Sequence, residues 1–135
     1  MKYIVYTDGG ARGNPGPAGI GAVIYNISGE VIAEVSEYIG KSTNNDAEYR
    51  ALLTALRKVH ELGNATEVEC FLDSQLVVRQ MNREYKVKDA NLASLFVQVH
   101  AVILHLGQVH FVHVPREKNK EADRLVNRAI DSVTS

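Results

Sequence analysis

The spacing of apolar and polar positions divides the chain into two halves of different period. Residues 2–7 read KYIVYT, rich in β-formers, and predict a strand that ends at Asp8. Residues 9–17 are dense in glycine and proline and predict a loop. A second strand is predicted over 19–26, a turn at Ser28-Gly29, and an alternating third strand over 30–39. Short connections between the three imply an antiparallel meander.

Beyond this point the period becomes helical. Residues 45–62 set Ala47, Ala51, Leu52, Ala55, Leu56 and Val59 on one stripe, and Gly63 stops it. A short strand over 66–72 ends at Asp73, and 74–82 reads as a helix. A strongly apolar helix follows over 91–106, then a fifth strand over 108–114 closed by Pro115, then a final helix over 117–130. The order βββαβααβα predicts an α/β fold with a five-stranded mixed sheet. Three strands should be antiparallel, two parallel through helical crossovers, with helices on both faces. There is no repeat, linker or low-complexity segment, so residues 1–135 are expected to form one domain.

Composition narrows the class. Apolar residues are 45% and charged residues 23% of the chain, ordinary for a soluble globular protein. No apolar run approaches the ~20 residues of a membrane span. The strand-like run directly after Met1 leaves no room for a signal peptide. Cys70 is the only cysteine, in an apolar run, and is expected to be a small buried hydrophobe. A reducing, cytoplasmic location and a monomer are the expectations.

Net charge is only −1, but its distribution is uneven. Residues 1–48 carry six acidic and three basic side chains. Residues 79–88 carry Arg79, Arg83, Lys86 and Lys88 against Glu84, and residues 116–128 are also net basic. An acidic region flanked by basic patches suits a metal-using enzyme with a polyanionic substrate, as solvated helix faces also would.

Four carboxylates stand at telling places: Asp8 and Asp73 at strand ends, Glu48 in the first turn of a helix, Asp123 in the last helix. If the first and fourth strands are parallel neighbours, Asp8 and Asp73 meet at one sheet edge. Without His or Cys ligands, such a cluster favours a hard ion, Mg²⁺ or Mn²⁺, over Zn²⁺. Each residue also has an ordinary explanation. Asp73 could cap the following helix, Glu48 could complement a helix N-terminus, and Asp123 could be a surface residue.

The segments around the four resemble the type 1 ribonuclease H family. They are Thr7-Asp8-Gly9-Gly10 with Gly13-Asn14-Pro15-Gly16 and Gly19-Ile20-Gly21; Thr43-Asn44-Asn45-Asp46-Ala47-Glu48-Tyr49; Asp73-Ser74-Gln75-Leu76-Val77; and Pro115-Arg116-Glu117 with Asn119, Ala122 and Asp123. They occur in family order and span nearly the whole chain. The resemblance implies a ribonuclease H-like fold and cleavage of the RNA strand of an RNA–DNA hybrid. It implies two Mg²⁺ ions, with Mn²⁺ as a substitute, clamping the attacking and leaving oxygens. Asp8 would bridge the ions, Asp123 would complete the site that activates water, and Glu48 and Asp73 would hold the second ion. The products would carry a 5′-phosphate and a 3′-hydroxyl.

For the substrate, the resemblance gives Glu48 and groups near Asn14 the 2′-hydroxyl. Asn44, Asn45 and Gln75 would be minor-groove contacts and Thr43 a DNA-phosphate contact. Asn14 is also a good turn residue, and Asn44 or Asn45 a good helix cap. The basic protrusion of many members is missing. Residues 82–89 run almost directly into the next helix, which resembles a shorter branch of the family. There Tyr85, Lys86 and Lys88 could supply part of the lost contact, or form a solvated linker. The shorter branch also makes cleavage of RNA–RNA duplexes an open alternative, beside a non-catalytic hybrid-binding module. A mobile general-acid or product-release residue has two candidates. His113 has the family spacing, ten before Asp123, but sits in a strand-like run; Arg116 follows Pro115 on a loop and is favoured. His60, His100, His105 and His110 match nothing in the family pattern.

Overall fold

A computed structural model describes residues 1–134; Ser135, the last of the expected domain, lies outside the described residues. The chain forms β1 (Lys2–Ala11), β2 (Gly16–Asn26), β3 (Val31–Ser42), α1 (Asn44–Leu62), β4 (Glu67–Leu72), α2 (Gln75–Met81), α3 (Ala90–Ile103), β5 (Gln108–His113) and α4 (Lys120–Thr134). A short 3₁₀ turn, Arg116–Lys118, precedes α4. The sheet order is β3-β2-β1-β4-β5, with β1–β2 and β2–β3 antiparallel and β1–β4 and β4–β5 parallel. The predicted fold class and element order are those observed. No helix among the described residues is long and apolar enough to cross a membrane.

Strand alternation feeds two cores. Val5, Ile20, Val68, Cys70 and Leu72 pack with Leu52, Leu56 and Val59 of α1 and with Leu95 and Val99 of α3. On the opposite face α4 lies across β2, β3 and β1 and buries Ala122, Leu125, Val126, Ala129 and Ile130. Cys70 is fully buried, and burial pushes its thiol pKa up, so it is the inert hydrophobe expected.

Two glycines let the helices reach the sheet. A Cβ on Gly9 would stand 2.2 Å from the Ala47 carbonyl oxygen of α1. A Cβ on Gly21 would stand 2.3 Å from the Ala122 carbonyl oxygen of α4. Gly21 pairs with Asp8 across β1 and β2. The two helix backbones therefore press on the sheet from opposite sides at the level of Asp8.

Several predicted boundaries are corrected. β1 continues through Ala11, because residues 9–11 pair with residues 18–20; only residues 12–15 are left as a loop. The glycines read as turn residues, yet here they serve close packing within an extended strand. The helix expected over 117–130 is split: Asn119, at φ −121 and ψ 30, separates the 3₁₀ turn from α4. α3 ends at Ile103, and residues 104–106 turn toward β5.

Buried Asp46 ties three elements together. Its carboxylate accepts from Ser42 Oγ, from Arg50 Nε at 2.7 Å and from Asn91 Nδ2 at 2.6 Å. Burial alone would raise its pKa, but these donors outweigh burial and hold it below the usual carboxylate range.

Replacing Gly21 tests the close approach of α4. Gly21→Ala is expected to destabilise the protein by about 1–3 kcal/mol, through overpacking against the Ala122 carbonyl. Denaturant unfolding measures it, and an unchanged midpoint would show that α4 can retreat freely.

Candidate active site

The carboxylates arrive from four elements. Asp8 lies inside β1, Glu48 in the second turn of α1, Asp73 directly after β4, and Asp123 in the first turn of α4. One oxygen each of Asp8, Glu48 and Asp73 lies within 4.8 Å of the other two. Asp123 faces the same open cleft of about 520 Å³, at its rim, with Arg116 Nη2 3.9 Å from its Oδ1. The sheet edge expected for Asp8 and Asp73 is real, although Asp8 sits within its strand and not at the end.

Local structure explains the placement. Thr43, not Asn44 or Asn45, caps α1, with its Oγ1 accepting from Asp46 N–H at 3.2 Å. Because α1 rests on Gly9, Glu48 Oε1 accepts the Gly9 N–H at 3.2 Å, while Asp8 Oδ1 accepts it at 3.0 Å. Ser74 caps α2 by accepting from Val77 N–H at 3.3 Å, so Asp73 is not the helix cap. Its carboxylate is left to the cleft.

One residue went without a role in the sequence reading. Asn119 is 1% exposed, and its Nδ2 donates to the Thr7 carbonyl at 2.8 Å and to Asp73 Oδ2 at 3.4 Å. It clamps the 3₁₀ turn, β1 and Asp73 together. Its signal was present as the Asn between the Pro-Arg-Glu segment and Asp123, but the partners are set by tertiary contact.

The electrostatics of the cluster are unfavourable without a cation. Burial, with the charges of Asp73 and Asp123, pushes Asp8 up to about 7 against a hydrogen bond with Glu48 that lowers it. Burial and then the charge of Asp8 push Glu48 well above its usual range. Asp73 is raised by burial, against the lowering influence of Asn119 and Arg116. Glu48 Oε2 is buried with no hydrogen-bond partner. A buried orphan carboxylate oxygen beside two more carboxylates is the oxygen donor set of a hard divalent cation, so the residues fit Mg²⁺ or Mn²⁺.

The other candidates divide. Asn44 and Asn45 line the cleft. Asn14 Oδ1 accepts the Asn44 N–H at 3.0 Å, and Asn44 Oδ1 accepts the Ala11 N–H at 2.8 Å, so the 12–15 loop is fastened to the start of α1. Thr43 and Gln75 are exposed at the N-termini of α1 and α2. Tyr85, Lys86 and Lys88 are exposed on the α2–α3 connection and do not line the cleft; the Arg79 guanidinium stands 5.2 Å from the Tyr85 ring centre. Arg116 lines the cleft and His113 does not. His113 pairs with Leu72, a core residue, so strand parity aims it toward the α2 side of the sheet.

The family profile described as reverse transcriptase-like matches residues 6–129. A bifunctional protein of Mycobacterium tuberculosis is 46% identical over 98% of this chain. The chain spans only 36% of that relative's length. The ribonuclease H of Cupriavidus pinatubonensis is 32% identical, with 100% of this chain and 99% of that protein aligned. Among solved structures, LC11-RNase H1, isolated from compost by a metagenomic approach, has been captured in complex with an RNA/DNA hybrid. It superposes with a TM-score of 0.95 at 50% identity, covering 98% of this chain and 99% of that one.

The raised carboxylates give a stability prediction. A carboxyl whose pKa is higher in the folded state holds its proton longer there, so its stabilisation is complete below the unfolded value and lost as pH rises. For Asp8 the window runs from the ordinary 3.8 to about 7. In chelator, thermal stability of the parent should therefore fall relative to Asp8→Asn across that window, and Mg²⁺ should reverse the fall. Parallel pH profiles for the two proteins would contradict the repulsion.

Proposed function

The chain belongs to the ribonuclease H family, and from that premise we propose that it hydrolyses the RNA strand of RNA–DNA hybrids at the cleft of Asp8, Glu48, Asp73 and Asp123. The convergence of three carboxylates from β1, α1 and β4 carries this reading. The hybrid-bound LC11-RNase H1, similar over nearly the whole chain, supports the choice of substrate.

Asp8, Glu48, Asp73 and Asp123 would hold a pair of Mg²⁺ or Mn²⁺ ions, which supply Lewis acidity and an activated water when bound. Asp8 would be the central ligand of the set, since it has an oxygen within 4.8 Å of oxygens of Glu48 and Asp73, and Asp123 lines the same cleft. Hydrolysis adds the water oxygen to phosphorus and breaks the bond to the 3′ oxygen, which takes up a proton. The products are a 5′-phosphate and a 3′-hydroxyl.

The chain's own groups orient the substrate. Asn44 and Asn45 line the cleft beside Glu48 and face the minor groove, where the 2′-hydroxyl distinguishes RNA from DNA. Short amides there read groove shape and not sequence. Gln75 and Thr43, at the exposed starts of α2 and α1, extend the contact to the strands. Tyr85, Lys86 and Lys88, exposed on the α2–α3 connection, would supply part of the contact with the hybrid outside the cleft. Arg116 has an 82% exposed side chain on the 3₁₀ turn, within 3.9 Å of Asp123. We assign that cation to the scissile phosphate and to product release, since it lines the cleft and His113 does not.

Cleavage of labelled hybrid, RNA duplex and DNA duplex, with Mg²⁺ and Mn²⁺ compared, tests the substrate. The expected result is metal-dependent cutting of the hybrid's RNA. Binding without cutting would make the protein a hybrid-binding module, and cutting of both RNA-containing duplexes would broaden its substrate. Asp8→Asn should lose cleavage by at least 10²-fold while keeping its fold by circular dichroism.

The arginine assignment makes a separate prediction. Arg116→Ala should lower kcat by about 10²-fold, and His113→Ala by less than a few-fold. The reverse order would return the mobile role to His113.

A further inference from the structure

Two histidines that the proposed catalysis leaves unused face each other on the opposite end of α1. His60 lies near the C-terminus of α1, and His105 lies in the turn that joins α3 to β5. Their ring centres are 5.2 Å apart, with the planes at 32°. Both are exposed, and they border an open groove shared with Glu61, Gln98 and Arg57. His60 is twelve residues along α1 from Glu48, or ~18 Å at the helical rise, so this groove is separate from the carboxylate cleft.

We propose that His60 and His105 form a second metal site, a two-imidazole chelate for Zn²⁺, Ni²⁺ or Cu²⁺ that clips the end of α1 to the α3–β5 turn. Geometry supports the chelate. A metal–nitrogen bond of ~2.0–2.1 Å, extended to the ring centre and doubled at a tetrahedral angle, puts two ligating imidazole centres ~5 Å apart. The ring centres already stand at that spacing, so closing the chelate is a matter of turning the two exposed rings. It is held by the packing of Leu56 and Val59 against Leu95 and Val99, so little freedom is lost on binding.

Ligand chemistry separates the two sites. Imidazole suits Zn²⁺, Ni²⁺ and Cu²⁺, while the carboxylate cluster suits Mg²⁺ and Mn²⁺. Glu61 adjoins His60 on the groove but stands 3.9 Å from Lys58 Nζ, so the protein ligands are the two imidazoles and water completes the shell. Arg57 brings the opposing charge, and its Nη2 is directed to Gln98 Oε1 at 3.4 Å.

The test uses the whole protein with Mg²⁺ in excess, so that the carboxylate cluster is occupied, and titrates Zn²⁺ or Ni²⁺ while reading the melting temperature. A rise on the order of 5 °C is expected at high occupancy. His60→Gln and His105→Gln should each abolish the rise, and the double variant should do no more than either. Each variant is compared with itself with and without metal, so any loss of basal stability cancels. The histidine ring proton NMR signals of His60 and His105 should shift together on addition of Zn²⁺. A rise that survives in both single variants, that depends on protein concentration, or that never appears would overturn the site. None of these outcomes bears on the nuclease reading.

Discussion

The architecture depends on how closely two helix backbones approach one point of the sheet. At Gly9 and Gly21 a side chain would collide with carbonyl oxygens of α1 and α4. Because none is there, α1 brings Glu48 to Asp8 from one face and α4 brings Asp123 from the other. The apolar contacts that hold the helices down are elsewhere, in Leu52, Leu56 and Val59 on one side and Leu125, Val126 and Ile130 on the other. Stability and chemistry are thereby divided: the cores supply the free energy, and the glycine contacts spend part of it on crowding like charges.

That crowding is the electrostatic signature of the cleft. Three carboxylates share a partly buried space with few compensating groups: the Gly9 N–H, the Asn119 amide and the charge of Arg116 acting on Asp73. Asp46 shows the contrast two residues from Glu48. It is also buried, yet its donors are complete and its pKa falls. The chain is able to satisfy a buried carboxylate where it needs structure. At Asp8 and Glu48 it provides little beyond the shared Gly9 N–H, which is the arrangement that a cation completes.

Much of the fold was legible in periodicity. The run of β-formers over 2–7 placed β1, and the apolar stripe placed α1 because that stripe is the helix's buried face. What escaped the sequence was fixed by contacts between distant segments. Residues 9–11 carry turn-forming glycines, but their conformation is decided by pairing with β2 and by the weight of α1. The start of α4 moved because Asn119 is committed to Thr7 and Asp73, which lie at least 46 residues away. Asp73 looked like a helix cap because Ser74, the actual cap, is an equally good candidate one position on. For the site, residue type and order singled out four carboxylates that the fold brings to one cleft, while their inequality of burial came only from three dimensions.

His113 and Arg116, the two residues offered for the mobile role, are set apart by a small geometric rule. In a strand, side chains alternate between faces, and paired residues on neighbouring strands share a face. His113 pairs with Leu72, and Leu72 belongs to the core under α1. Asp73, one residue further, takes the other direction, toward Asp8 and Asp123. At register 113 the side chain therefore shares the face of Leu72, while the Asp73 carboxylate turns toward Asp8. Pro115 then ends the pairing, and the 3₁₀ turn lifts Arg116 across the sheet edge into the cleft. Spacing along the chain points to the histidine, whereas of the two it is the arginine that lines the cleft.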